Sequence, residues 1–187
     1  AGVDRVDEVL MGNVLGAGQG QAPARQASFA AGLDETIPAT TLNKMCGSGM
    51  KAAMIGFDQI KLGENKILVV GGMESMSNAP YLLPKMRSGA RLGHGKVVDH
   101  MFWDGLEDAY EPGRLMGTFA EDCAEKYQFT REAQDNYALT SLENSLSAQK
   151  SGAFENEIKA SEVIDRQGIK RFVGLDEHPQ NAQPDTI

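Results

Sequence analysis

Up to residue 77, short apolar runs alternate with stretches whose apolar residues recur every three or four positions. Val6-Asp-Glu-Val-Leu-Met-Gly-Asn-Val-Leu15 predicts a strand that ends in a glycine cluster. Pro23 then opens an Ala-rich helix (Ala24, Ala27, Ala31) that stops near Gly32. Ala39–Met45 predicts a second short strand. After Cys46, residues Met50, Ala53, Met54, Phe57 and Ile60 fall at helical spacing, and Gly63 supplies the stop. Ile67-Leu-Val-Val-Gly-Gly72 is a continuous apolar run of the kind carried by a parallel strand buried on both faces. Strand, Cys46, helix, strand make a βαβ unit, so residues 1–77 read as an α/β domain.

The pattern changes after Ser77. Residues 78–116 are rich in Gly, Met, Pro and Arg and show little periodicity. Helical spacing returns from Thr118 to Tyr127 and from Arg131 to Lys150, the second helix with Thr130 as N-cap, Glu132 in its first turn and Gly152 after its end. Ile158–Val163 and Lys170–Val173 predict two weaker strands around a Gln167-Gly168 turn. The tail from Asp176 is polar, and Glu177-His178-Pro179 reads as surface loop. Residues 78–187 form the second expected domain.

Composition narrows the function classes. The 187 residues are 41% hydrophobic and 24% charged, ordinary for a globular protein with a real core. A net charge of −8 argues against a nucleic-acid partner, which would select for Lys and Arg. No apolar run approaches the ~20 residues that cross a bilayer, and no signal peptide is visible, so no membrane partner is expected. Two cysteines without a CxxC pair exclude a disulfide framework and a zinc module. They fit a reducing, cytoplasmic setting. No metal and no cofactor are expected. Gly16, Gly18 and Gly20 invite a dinucleotide-binding reading, but the third glycine of that pattern would be position 21, which is Gln21.

The candidate chemistry lies at Cys46. A thiol at a strand-to-helix junction meets the free N–H groups and positive dipole end of the helix, which favour a thiolate nucleophile. Gly47 and Gly49 clear side chains from the first turn, so a substrate carbonyl can approach, and their N–H groups are candidates for holding an oxyanion. The arrangement is analogous to the nucleophile elbow of α/β-hydrolases. The alternative is a buried, inert thiol, since free cysteines are among the most buried residues. Cys123, in mid-helix, reads as core.

At these residues the chain resembles the thiolase family. Asn43-Lys-Met-Cys-Gly-Ser-Gly-Met-Lys-Ala52 is similar to the thiolase nucleophile motif, and Gly71-Gly-Met-Glu-Ser-Met-Ser77 to the segment ending the strand that follows it. Asp104-Gly-Leu-Glu-Asp-Ala-Tyr110 and Met116-Gly-Thr-Phe-Ala-Glu121 resemble segments of the family's inserted loop domain. The resemblance implies part of a layered αβαβα fold: the N-terminal core, incomplete at its start, plus much of the loop domain. It implies an acyl-CoA C-acyltransferase that forms or cleaves 3-ketoacyl-CoA through an acyl-cysteine at Cys46, first of all an acetyl-CoA acetyltransferase of fatty acid metabolism. Coenzyme A thioesters are its substrates. Leu106 and Met116 are expected to line the pantetheine tunnel, against the simpler reading that they pack. Tyr81–Asp99, with Lys85, Arg87, Arg91 and Lys96, resembles the segment that joins two tight dimers into a homotetramer, against that of a solvated basic loop. A homodimer at least is expected.

Departures from the family pattern bound this. Many thiolases carry histidine where Leu115 stands. The family's activating histidine in Gly-His-Pro, its second cysteine in a Gly-rich motif and its asparagine motif are not in this sequence. His94, His100 and His178 match none of them. Residues 1–187 alone are therefore expected to be inactive. Two rival readings are a condensing enzyme of the ketoacyl synthase type and a non-catalytic CoA- or lipid-binding relative of thiolases.

Overall fold

The computed structural model describes residues 5–165 and 167–184. The chain divides into two compact units between Thr118 and Phe119, well beyond the change of pattern at Ser77. In the first unit, β1 (Glu8–Gly12), β2 (Ala39–Leu42) and β3 (Leu68–Gly72) form a parallel sheet in the order β2-β1-β3. Helix α1 (Pro23–Ala30) connects β1 to β2, and α2 (Ser48–Leu62) connects β2 to β3. Register is set by pairs such as Val9 with Ala39 and Val9 with Val69. Asp7 fastens the entrance to this sheet by accepting the N–H groups of Lys66 (2.7 Å) and Ile67 (2.8 Å). Those two amides hold its carboxyl below the usual carboxylate range, Ile67 contributing most.

Burial in this unit follows side-chain size, and one expectation about it is corrected. The helix after Cys46 forms, and Gly63 ends it in a left-handed conformation at φ 76°. Its sheet-facing residues, however, are Ser48, Ala52 and Gly56, while Met50 is 73% and Phe57 61% exposed. Small side chains at i, i+4 and i+8 let the helix axis approach the strands, so the large apolar residues turn outward. A Cβ on Gly56 would sit 2.9 Å from the Val70 Cγ1, inside normal contact distance. The run 67–72 is not buried on both faces either: β3 is an edge strand, and Val69 and Val70 are exposed. The buried apolar core of the described residues is correspondingly small, namely Val9, Leu10, Leu15, Ala24, Ile37 and Ala52.

Beyond β3 the first unit has little regular structure, as the lack of periodicity predicts. A two-residue pair, β4 (Tyr81–Leu82) with β5 (Val98–Asp99), leads into a π-helical turn over Phe102–Leu106. Helix α3 (Met116–Tyr127) starts at the end of the first unit and runs on into the second, where Cys123 within it is exposed, not core. Mid-helix position says nothing of which face a residue takes, and α3 has no buried residue among those described.

The second unit contains α4 (Arg131–Ser151), β6 (Ser161–Ile164), β7 (Lys170–Val173) and α5 (Glu177–Asn181). Thr130 caps α4 through its side chain on the Ala133 N–H, and Gly152 closes it at φ 68°, as the sequence predicts. β6 and β7 pair antiparallel around the turn that contains Gly168. Glu177-His178-Pro179 is helical rather than loop. Asp176 caps it by accepting the His178 N–H (3.2 Å), and a proline in the first turn loses no helical bond. The last three residues of the tail lie outside the described residues.

Candidate active site

Cys46 lies in the turn between β2 and α2, two residues before the helix begins. The turn is built from its neighbours. The Asn43 side chain accepts the Met45 N–H (2.9 Å), and Met45 takes a positive φ of 49°, sparsely populated for a bulky residue. Ser48 then clips the turn from inside: its Oγ accepts the Lys44 N–H (2.9 Å) and donates to the Met45 carbonyl (2.5 Å). The motif's serine, which sequence reading left without a role, is thus the buried fastener of the elbow.

The two glycines differ in what they do. The Gly47 N–H donates to the Lys44 carbonyl (3.2 Å), so that amide is engaged inside the turn. Gly49 belongs to the first turn of α2, where N–H groups lack a helical acceptor, and it lines the cavity at Cys46. The need for small residues comes from the sheet: a Cβ on Gly12 would lie 2.6 Å from the Ser48 carbonyl carbon and 2.8 Å from the Gly49 nitrogen. The N-terminus of α2 therefore rests directly on the C-terminal end of β1. Ligands of open parallel sheets commonly bind at this end of the strands.

Cys46 is exposed and opens into a cavity of about 400 Å³. Val14, Leu15, Met73, Glu74, Gly105 and Leu106 contribute to its lining, with Met45, Ser48 and Gly49 of the elbow. The structure thus brings Leu106 to the cavity that holds Cys46. Met116 lies outside it, exposed at the start of α3. His94, His100 and His178 are not among its lining residues. Among the described residues, no group of three or more His, Cys, Asp or Glu is placed to hold a metal ion.

Glu74 and Asn13 are site residues that sequence reading did not single out. One Glu74 oxygen accepts the Leu15 N–H (2.8 Å) and the Asn13 Nδ2 (3.0 Å), and the other accepts the Val14 N–H (2.8 Å). Asn13, buried, also donates to the Met73 carbonyl (3.1 Å). This carboxylate ties the exit of β1 to the exit of β3 and leaves little acceptor capacity for chemistry. The only sequence signal was a carboxylate just after a glycine-terminated strand.

The chain matches the family model for the thiolase N-terminal domain over residues 2–185. It is 53% identical over 163 residues to acetyl-CoA acetyltransferase 2 of Arabidopsis thaliana, covering 87% of this chain and 40% of that protein. A probable acetyl-CoA acetyltransferase of Dictyostelium discoideum is 47% identical over 182 residues, covering 97% of this chain and 44% of that one. Among solved structures, the Acat5 thiolase from Ascaris suum in complex with coenzyme A superposes with a TM-score of 0.89 at 37% identity. That match covers 99% of this chain and 46% of the other. The chain spans less than half the length of these relatives.

Proposed function

The chain belongs to the thiolase family, and from that membership we propose that it is the nucleophile-bearing part of an acetyl-CoA C-acetyltransferase, with Cys46 as the acylated residue. The observation that carries this reading is an exposed thiol on a strand–helix elbow, opening into an apolar-walled cavity at the C-terminal ends of parallel strands. In the acyl-transfer step the Cys46 sulfur attacks the thioester carbonyl. The new C–S bond forms, the bond to coenzyme A breaks, and the electron pair leaves on the coenzyme A sulfur. Thiol and thioester on both sides make the step reversible, which suits both condensation and thiolysis. Gly49 presents backbone where the carbonyl oxygen would arrive, and Leu106 offers an apolar wall for the acyl or pantetheine chain. Proton transfers to the leaving thiol and from the α-carbon need groups that this cavity's lining does not include.

The direct test is incubation of full-length protein with acetyl-CoA followed by digestion and mass spectrometry. Acetyl on Cys46 is expected; acetyl on Cys123, or none, rejects the reading. Cys46→Ser should lower turnover by several orders of magnitude, because a hydroxyl ionises poorly and its ester is a deeper trap. Rapid labelling by iodoacetamide separates an enzyme from a non-catalytic relative, which has no use for a fast thiol.

The reading includes self-association and a cytoplasmic role in acyl-CoA metabolism. Support for the first is the outer edge of β3, which pairs with no strand among the described residues, and the exposed apolar side chains Leu83, Met86, Leu92 and Val97 within residues 81–99. A homodimer, or a homotetramer that loses its second interface when 81–99 is deleted, is the expected result of light scattering on the full-length enzyme. A monomer would refute it. Two unpaired thiols are what supports the compartment.

A further inference from the structure

His100 is a buried histidine, only 6% exposed, whose two ring nitrogens are both committed. Its Nε2 accepts the Ala17 N–H at 3.3 Å, and its Nδ1 meets the Asp104 carboxylate at 2.5 Å. A backbone N–H can only donate, so Nε2 carries the lone pair and the ring proton sits on Nδ1, where Asp104 accepts it. The His100 backbone is fixed as well, its N–H donating to the Pro80 carbonyl (3.1 Å). His100 therefore joins two segments that form neighbouring parts of the Cys46 cavity wall. One is the stretch after β1, where Leu15 is held by Glu74 and Ala17 by His100. The other is the π-helical turn, which starts two residues after His100 and delivers Gly105 and Leu106 to the cavity.

The fit between the two segments is close. A Cβ on Gly105 would lie 3.3 Å from the Leu15 Cδ2, and Leu15 is itself buried. The turn closes on its own backbone through the Glu107 N–H on the Phe102 carbonyl (2.8 Å), which fixes its shape but not its position. Position comes from His100 and Asp104. Asp104 sits inside the turn, so the Nδ1–Asp104 contact grips the turn directly while Nε2 grips the neighbouring loop.

We infer that His100, oriented by Asp104, is a positioning residue that sets the Leu15–Gly105–Leu106 wall of the Cys46 cavity and so the affinity for the acyl-CoA chain. This rests on the acyltransferase reading above. It touches neither Cys46 nor the acyl group; its effect falls on how well the thioester is seated, not on the reactivity of the thiol.

The experiment uses full-length enzyme, with acetyl-CoA as substrate and iodoacetamide as a probe that needs only access to the thiol. His100→Leu loses both ring hydrogen bonds, to the Ala17 N–H and to the Asp104 carboxylate, and should raise the acetyl-CoA KM by about three- to tenfold. Its kcat and the rate of Cys46 alkylation should stay within about twofold of wild type, since the elbow is built without His100. His100→Gln, whose amide oxygen can accept the Ala17 N–H, should recover most of the KM. Asp104→Ala, at a half-exposed position that tolerates truncation, should raise KM in the same direction and serves if the His100 variants do not fold. Wild-type protein that is not acetylated at Cys46 removes the functional reading and this inference together. Acetylated wild type with unchanged KM in the folded variants, or an equal fall in alkylation rate, overturns the inference alone.

Discussion

Ser48 and Glu74 act on the site through hydrogen bonds that the residue types alone do not announce. Removing the Ser48 hydroxyl takes away the acceptor of the Lys44 N–H and the donor to the Met45 carbonyl, a loss of about 1 kcal/mol for a part-buried bond. Ser48→Ala should therefore lower the melting temperature and, because Met45 then relaxes from its positive φ, slow or scatter the alkylation of Cys46. Unchanged melting and labelling would show that the elbow holds itself. Glu74→Gln tests the second fastener: an amide NH₂ must turn toward at least one of three donors, Asn13 Nδ2, Val14 N–H or Leu15 N–H. A loss on the order of 1 kcal/mol is expected in urea unfolding. The strand-to-helix elbow at Cys46 was legible in the sequence because an apolar run, a Gly-Ser-Gly break and a helical period follow one another there. Its fasteners were not, because the Glu74 contacts join residues about sixty positions apart and no local pattern encodes them.

Helix α2 shows where periodicity informs and where it misleads. Spacing of Met50, Met54, Phe57 and Ile60 places the helix correctly, yet the face that meets the sheet is the one of Ser48, Ala52 and Gly56. Hydrophobic period reports which residues share a side; closeness to a partner is decided by side-chain size. Gly12→Ala should be far worse than its chemistry suggests, since the new methyl would meet backbone of Ser48 and Gly49 that cannot rotate away. Overpacking of this sort costs about 1–3 kcal/mol or more, and here it displaces the elbow, so Cys46 alkylation should change along with the melting temperature. At the other end of the sheet, Asp7 predicts an acid limb. Its carboxyl is held low in the folded chain, so the unfolded chain binds the proton more readily and the stabilisation is present above the unfolded value of about 3.9. It is lost as pH falls through the lower folded value. Asp7→Asn should flatten the pH dependence of the melting temperature below about pH 4; an unaltered slope would dismiss the role.

For the chain as a whole, the α/β character was legible; the division into compact units after Thr118 has no counterpart in the sequence pattern, since the irregular stretch 78–116 gives no periodic signal of what it packs against. Residues 1–187 alone should show no measurable acetoacetyl-CoA thiolysis, because the cavity around Cys46 offers no histidine to move protons and each missing acid–base group typically removes ~10²–10⁴-fold. Thiolysis at a rate comparable with the full-length enzyme would relocate the chemistry. The order β2-β1-β3 also governs how this sheet can come into being. Both neighbours of β1 are parallel to it, so Val9 finds its partners only at Ala39 and Val69, and no hairpin can start the process. Long loops must close before any ladder forms, which slows folding relative to helical chains of similar size. During synthesis β1 can pair with Ala39–Leu42 first, but its other edge stays open until Leu68–Gly72 has been made, and in that interval the open edge is exposed to wrong partners.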